Sequence, residues 1–90
     1  MDFEWDDQKR ESNLAKHGVD FRRMAALFEG DVLEFPDERE DYGETRFTVY
    51  GEIEGRVYVV TYTWRVGNRR IISARRANER ERKKYYARHG

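Results

Sequence analysis

The chain has 90 residues, of which 38% are hydrophobic and 40% are charged, and it contains no cysteine. This length supports one domain with a modest core, so we expect a single domain over residues 1–90. The lack of cysteine excludes a disulfide framework and a thiolate metal site. No apolar stretch approaches the roughly 20 residues of a membrane-spanning helix. We therefore expect a cytoplasmic protein that does not engage a membrane.

The net charge of +0 hides a division along the chain. Residues 1–54 contain 16 acidic and 7 basic side chains, whereas residues 55–90 contain 2 acidic and 11 basic ones. A segment this basic is typical of a surface for nucleic acid or for an acidic partner. The alternative is that the two halves neutralise each other in the fold. The excess of arginine over lysine in the basic half favours partner binding.

Two helices are predicted in the first third of the chain. The first spans residues 7–17, with Asp6 as its N-cap and Gly18 at the left-handed position that ends it. The second begins after the N-cap Asp20 and ends at Gly30, because apolar residues recur between them at helical spacing.

Four β patterns and one further helix follow. Short turns separate the last three β patterns, so we expect an antiparallel arrangement. Asn78 and Glu81 resemble a capping box, which predicts a helix over residues 79–88. The fold class is therefore α+β, with two N-terminal helices, a four-stranded antiparallel sheet and a C-terminal helix. The predicted strands are 32–35, 46–53, 57–65 and 69–76.

The run from Arg69 to Arg76 joins the aromatic strand pattern to the charged C-terminal segment. Ile71 and Ile72 are neighbours, so they point to opposite faces of an extended strand. A strand with an apolar residue on each face is usually covered on both faces, which predicts a position inside the sheet. The arginine pairs at its ends then present planar donor forks that suit phosphate. The alternative is that they are ordinary surface arginines.

A basic and aromatic set lies on or beside the predicted strands and the last helix. Such a set can bind single-stranded RNA, because bases stack on rings while guanidinium groups contact phosphates. The alternative is that many of the rings pack in the core. The two histidines, His17 and His89, are far apart, so no metal site or other cofactor is predicted. The set comprises Arg46, Arg65, Arg69, Arg70, Arg75 and Arg76 with Tyr50, Tyr58, Tyr62, Trp64 and Tyr85.

Four segments, in this order, resemble the BrnT family of type II toxins, which are small ribonucleases with a fold similar to the RelE toxins. They extend over about residues 5–86, and their order and spacing make the resemblance specific. The segments are Trp5-Asp6 with Lys9 and Asn13; Lys16-His17-Gly18-Val19 with Phe21; Tyr42-Gly43-Glu44-Thr45-Arg46 with Gly51; and Arg70-Ile71-Ile72-Ser73-Ala74-Arg75-Arg76-Ala77 with Glu81 and Tyr85.

The resemblance implies a toxin that cleaves RNA and arrests translation. It also implies neutralisation by a BrnA antitoxin, which carries a ribbon-helix-helix DNA-binding domain. Complexes in the family pair two toxins with two antitoxins and repress their own operon, so operator DNA would be contacted through the antitoxin.

Our mechanistic hypothesis is metal-independent cleavage by the 2′-hydroxyl of the RNA, which leaves a cyclic phosphate and a 5′-hydroxyl. Arg75, Arg70 and Arg46 are expected to stabilise the charge of the phosphorane. Glu44 is a candidate base, and the alternative is a simple ion pair with a nearby arginine. The remaining candidates are His17 as a proton carrier or a partner of the helix terminus, Tyr85 as an acid or a packing residue, and Arg65, Arg69, Arg76, Lys16 and Lys9 as RNA-binding residues.

Two other classes of function stay open. The first is a nucleic-acid-binding module that uses the same arginines without turnover and would hold uncut RNA in a salt-sensitive complex. The second is an interaction subunit whose basic strand and helix hold an acidic or amphipathic partner.

Overall fold

The computed structural model describes residues 2–89, which form an α+β fold around one sheet. No helix in this range is long and apolar enough to cross a membrane. In chain order the elements are β1 (Phe3–Glu4), α1 (Asp7–His17), α2 (Phe21–Met24), a 3-10 helix (Ala25–Glu29), β2 (Val32–Pro36), β3 (Arg46–Ile53), β4 (Arg56–Arg65), β5 (Asn68–Arg76) and α3 (Glu79–His89).

The sheet has five strands in the order β1-β5-β4-β3-β2. The four predicted strands are present, and each is antiparallel to the next one in the sheet. The prediction of a purely antiparallel, four-stranded sheet was wrong, because β1 joins β5 in parallel and makes the sheet mixed. A strand of two residues is too short to have a periodic pattern, so no local signal indicates it. The predicted interior position of β5 is confirmed, since it lies between β1 and β4.

The first predicted helix is confirmed with both of its caps. The carboxylate of Asp6 accepts a hydrogen bond from the Lys9 backbone N–H at 3.1 Å, and Gly18 has φ +69°. The second helix was predicted as one unit up to Gly30. It instead ends at Met24 and continues as the 3-10 helix. This tighter segment carries Leu27, which is fully buried against Gly51 of β3.

Two-residue loops join β3 to β4 and β4 to β5. Both loop residues have positive φ in each case: Glu54 and Gly55 in the first loop, and Val66 and Gly67 in the second. This geometry matches the right-handed twist of the strands and fixes their register. The predicted turns are therefore confirmed, although a valine at φ +49° is unusual because its branched Cβ crowds the backbone there.

The sheet has two different faces. The core face packs against α2 and the 3-10 helix and carries Val49, Tyr58, Val60, Tyr62, Ile71 and Ala74. The opposite face, which we call the groove face, carries a smaller buried cluster at one end, composed of Tyr50, Val57 and Val59 with Ala77 and Tyr85. Because Tyr85 belongs to α3, this helix covers one end of the groove face.

Asn13 of α1 closes the edge of β5 beyond the reach of β1. Its side-chain amide donates to the Ala74 carbonyl at 2.7 Å and to the Val19 carbonyl at 3.0 Å. Its Oδ1 accepts from the Ala74 N–H at 3.2 Å. One side chain thus replaces the two hydrogen bonds that a neighbouring strand would exchange with Ala74.

Candidate functional site

Next to the buried cluster that contains Tyr85, the groove face forms a cavity of about 250 Å³ between β2, the loop that follows it, and α3. We call this cavity the groove. It is smaller than the roughly 300–1,000 Å³ of pockets that enclose small molecules, so it suits part of a longer ligand lying across it. The side chains that line it include Asp37, Thr48, Thr61, Ser73, Arg75 and Glu81.

The floor of the groove includes three hydroxyl side chains in register. Thr48 of β3 lies opposite Thr61 of β4, which in turn lies opposite Ser73 of β5. Thr63, two residues along from Thr61, donates its hydroxyl hydrogen to the Thr45 carbonyl at 2.7 Å. Because directly opposed residues project to the same side, these hydroxyl side chains share one polar surface.

Three arginines from two strands project from this same face. Arg46 and Arg70 both lie opposite Thr63, one on each side of β4. Their Cα atoms are therefore about 10 Å apart, which is twice the spacing between neighbouring strands. Arg75 lies opposite Val59, farther along β5. The sequence hypothesis named these three arginines for charge stabilisation, and the fold brings them to one face.

A β-bulge in β5 makes this arrangement possible. Tyr62 is opposite Ile71 and Thr61 is opposite Ser73, so Ile72 is an extra residue in β5. In a regular strand, Ile71 and Arg75 would project to the same face, because they are four residues apart. The bulge instead leaves Ile71 in the core at 1% exposure and turns Arg75 into the groove.

Arg75 forms a bidentate ion pair with Glu81 at the start of α3. Its Nη1 and Nη2 donate to the two carboxylate oxygens, both at 2.8 Å. The hydrogen bonds from Arg75 lower the pKa of Glu81, and the same contact raises the pKa of Arg75. Both groups are therefore charged in the neutral range, and the pair is a fixed feature of the groove wall.

Arg46 and Arg70 also have carboxylate partners. Arg46 donates from Nε to Glu44 at 3.0 Å, and its guanidinium carbon lies 3.9 Å from the centre of the Tyr42 ring. Arg70 donates to Glu4 of β1 at 2.6 Å. The hydrogen bonds from Arg70 and Asn68 lower the pKa of Glu4, Arg70 being the stronger cause.

The loop after β2 contributes a network that sequence reasoning missed. Asp37 is buried and accepts two hydrogen bonds from the Arg39 guanidinium, at 2.8 and 2.7 Å. Arg39 therefore lowers the pKa of Asp37. The Tyr42 hydroxyl contacts the same carboxylate at 3.5 Å. The Asp-x-Arg spacing of Asp37 and Arg39 was the only sequence signal for this ion pair. It was hard to recognise because several other acidic residues surround it.

Tyr85 projects from α3 toward the sheet and is buried, with 5% of its surface exposed. Its hydroxyl donates to the Asp31 carbonyl at 2.8 Å, and burial raises its pKa. Tyr50 is buried beside it, lines the groove, and also has a pKa raised by burial.

Three of the predicted site residues lie on α1: His17, Lys9 and Lys16. This helix is on the opposite side of β5 from Thr61. The three residues line a second, shallower depression together with Ile72 and Ser73. Since Ser73 also lines the groove, the two depressions meet at the bulge. His89 is the last residue of α3, and its side chain lies outside the described part of the structure.

The three other arginines predicted to bind RNA are distributed differently. Arg65 is exposed at the end of β4, opposite Asn68. Arg76 is exposed on the core side of β5, near Arg56 and Arg82. Arg69 lies on the core face, with its guanidinium carbon 4.5–5.1 Å from the ring centres of Phe28, Tyr62 and Trp64. Its Nε and Nη1 are buried and have no hydrogen-bond partner within residues 2–89.

The groove face of the sheet therefore combines hydroxyl side chains with three arginines, which are groups that can donate hydrogen bonds to phosphate oxygens. Comparison with family models gives a specific result: the model described as "Ribonuclease toxin, BrnT, of type II toxin-antitoxin system" matches residues 5–81. The chain belongs to this family, which confirms the resemblance noted in the sequence. A search of curated proteins found no match. Membership suggests a ribonuclease toxin and implies an antitoxin partner and an RNA target.

Proposed function

We propose that the groove is the catalytic site of a ribonuclease toxin that cleaves RNA without a metal ion. The observation that carries the proposal is the projection of Arg46, Arg70 and Arg75 from one face, around a polar floor. Family membership supports RNA as the substrate. Guanidinium groups keep their charge at any working pH and bind phosphate oxygens through two parallel donors.

The reaction is an internal transfer at one phosphate. The 2′-hydroxyl oxygen bonds to phosphorus, the bond from phosphorus to the 5′-oxygen breaks, and a 2′,3′-cyclic phosphate and a 5′-hydroxyl result. A base takes the proton of the 2′-hydroxyl and an acid returns one to the leaving oxygen. Negative charge builds up on the phosphorane oxygens, and Arg75, Arg70 and Arg46 stabilise it.

Glu44 and His17 are the proposed proton carriers. The Glu44 carboxylate accepts a hydrogen bond from Arg46, and its side chain is 39% exposed, so a substrate hydroxyl on this face of the sheet can reach it. His17 is exposed on the α1 side of β5, and an imidazole can either accept or donate a proton. We assign the base role to Glu44 and the acid role to His17. Tyr85 supports the site by packing, since its hydroxyl is engaged with Asp31.

Flanking phosphates of the RNA are proposed to follow the basic side chains on either side of the reaction centre. Lys9 and Lys16 lie in the depression that meets the groove at Ser73, and Arg65 lies beyond Thr63 on the groove side of β4. Arg69 and Arg76 lie on the core face of β5, so contacts to them require the RNA to pass around the sheet edge.

We further propose that a BrnA-type ribbon-helix-helix antitoxin neutralises the toxin in a complex of two toxins with two antitoxins, which contacts operator DNA through the antitoxin. Family membership supports a partner of this kind. The groove is the surface whose occupation would stop the reaction.

The function is tested by induced expression of the wild type and of Arg75→Ala. Wild-type protein is expected to stop growth and degrade total RNA. Arg75→Ala is expected to lower RNA cleavage by the purified protein about 10²–10³-fold, the usual effect of losing one preorganised donor for transition-state charge. Arg56→Ala is the matched control, because Arg56 is exposed outside the groove, and it is expected to behave as the wild type.

Equal toxicity of Arg75→Ala and the wild type would contradict the catalytic role of the groove. A wild type that binds RNA in a salt-sensitive manner and leaves it intact would support the nucleic-acid-binding module instead. An Arg75→Ala protein that still arrests growth and loses its partner would support the interaction subunit.

A further inference from the structure

The Arg75–Glu81 pair uses one edge of the guanidinium group. Nη1 and Nη2 donate to Glu81 end-on, at 2.8 Å each, and Nη1 also donates to the Arg76 carbonyl at 3.3 Å. A guanidinium group has five N–H donors in a fixed plane. These contacts use three of them and leave one N–H on Nε and one on Nη2.

The two remaining N–H groups form the second edge of the same plane. No hydrogen bond from Nε joins Arg75 to another residue of the described range 2–89. Two parallel N–H groups on one edge are the arrangement that grips a phosphate through two oxygens. Arg75 lines the groove and 39% of its side chain is exposed, so a ligand in the groove can contact the guanidinium group.

Glu81 is itself fixed to the backbone. Its Oε1 accepts from the Asn78 N–H at 2.9 Å, and its own N–H donates to Asn78 Oδ1 at 2.8 Å, which completes the predicted capping box. The Glu81 side chain is only 14% exposed. The carboxylate therefore links the orientation of Arg75 to the first turn of α3.

We infer that Glu81 is a positioning residue of the ribonuclease: it orients Arg75 so that the Nε–Nη2 edge receives the phosphate that is cleaved. The inference rests on the proposed function and deepens it. Arg75 without Glu81 would keep its charge but rotate among several rotamers. It would still attract RNA, but the alignment that stabilises the transition state would be lost.

If Glu81 acted only through its negative charge, its removal would have the opposite effect on the reaction. A carboxylate beside the groove repels phosphate, so its neutralisation should tighten RNA binding and leave the chemical step unchanged or faster. A merely structural role of the capping box predicts lower stability with unchanged turnover by the folded protein. Measurements of kcat, KM and stability therefore distinguish the three possible roles of Glu81: positioning Arg75, repelling phosphate, or only capping the helix.

The test is steady-state cleavage of a short RNA by Glu81→Gln. Glutamine preserves the capping box and removes the charged pair with Arg75. We expect kcat to fall about 10- to 100-fold, KM to change less than about threefold, and the folded fraction to stay unchanged. Glu79→Gln is the matched control, because Glu79 is 72% exposed in the same turn and pairs with Lys83. It is expected to keep wild-type kcat.

Arg75→Lys tests the same inference from the other partner. Lysine keeps the charge and can still pair with Glu81, but it has no second donor edge. We expect its kcat to fall at least as far as that of Glu81→Gln. Unchanged kcat in Glu81→Gln, or equal losses in Glu81→Gln and Glu79→Gln, would overturn the inference while leaving the proposed function in place. A wild type that does not cut RNA would overturn both.

Discussion

At the scale of single residues, Asn13 stabilises the edge of β5. It is 8% exposed, and its amide group makes three hydrogen bonds, two of them with the backbone of Ala74 in β5. β1 pairs with β5 only at Arg69 and Arg70. Asn13 therefore protects the edge of β5 next to the bulge and the groove.

We expect Asn13→Ala to lower the free energy of unfolding by about 2–3 kcal/mol, because it leaves the Ala74 N–H and two carbonyl groups without their partner. Chemical denaturation measures this value. Ser12→Ala is the control on the same helix, since Ser12 is exposed, and it should stay within about 0.5 kcal/mol of the wild type. An Asn13→Ala protein as stable as the control would contradict this account of the β5 edge.

The arginine pairs show what a sequence can and cannot predict about single residues. The alternation rule predicts that Arg69 and Arg70 point to opposite faces, and they do. It does not predict which residues the two arginines contact on each face. Arg69 meets three rings of the core, whereas Arg70 meets Glu4, and both neighbourhoods are built from distant parts of the chain.

At the scale of elements, the helix caps, the two hairpin turns and the positions of β2 to β5 were predictable because each has a local signal. The side to which Arg75 projects was not, because it depends on the bulge at Ile72. A bulge depends on how β4 and β5 align, and nothing in the sequence of β5 alone specifies it. The α2 boundary also depended on tertiary packing, since Leu27 must fit against Gly51.

We expect Gly51→Ala to destabilise the protein by about 1–3 kcal/mol, because overpacking a core forces side chains or backbone to shift. A Cβ at this position would lie 2.5 Å from Leu27 Cγ, and Leu27 is fully buried. Thermal or chemical denaturation measures the effect. Gly30→Ala is the matched control: its Cβ meets nothing within 4 Å, and its φ of −104° suits any residue. Equal stability of the two variants would show that β3 and the 3-10 helix are not in close contact.

At the scale of the whole molecule, the ion pairs between described residues form almost entirely within the acidic half or within the basic half of the chain. Among ion pairs between residues 2–89, only Arg70–Glu4 joins the acidic half to the basic half. Direct pairing between the halves therefore does not neutralise the basic segment. This supports the interpretation that its arginines serve a negatively charged partner, for which the family indicates RNA.

The most direct measurement for this account is the chemistry of the cleaved ends. Purified protein is incubated in EDTA with a short RNA, and with the same RNA carrying a 2′-deoxy sugar at the cleaved nucleotide. The account predicts products with a 2′,3′-cyclic phosphate and a 5′-hydroxyl from the first RNA, by mass spectrometry, and no cleavage of the second. Cleavage of the 2′-deoxy strand, products with a 5′-phosphate, or activity that requires an added divalent metal would contradict the account.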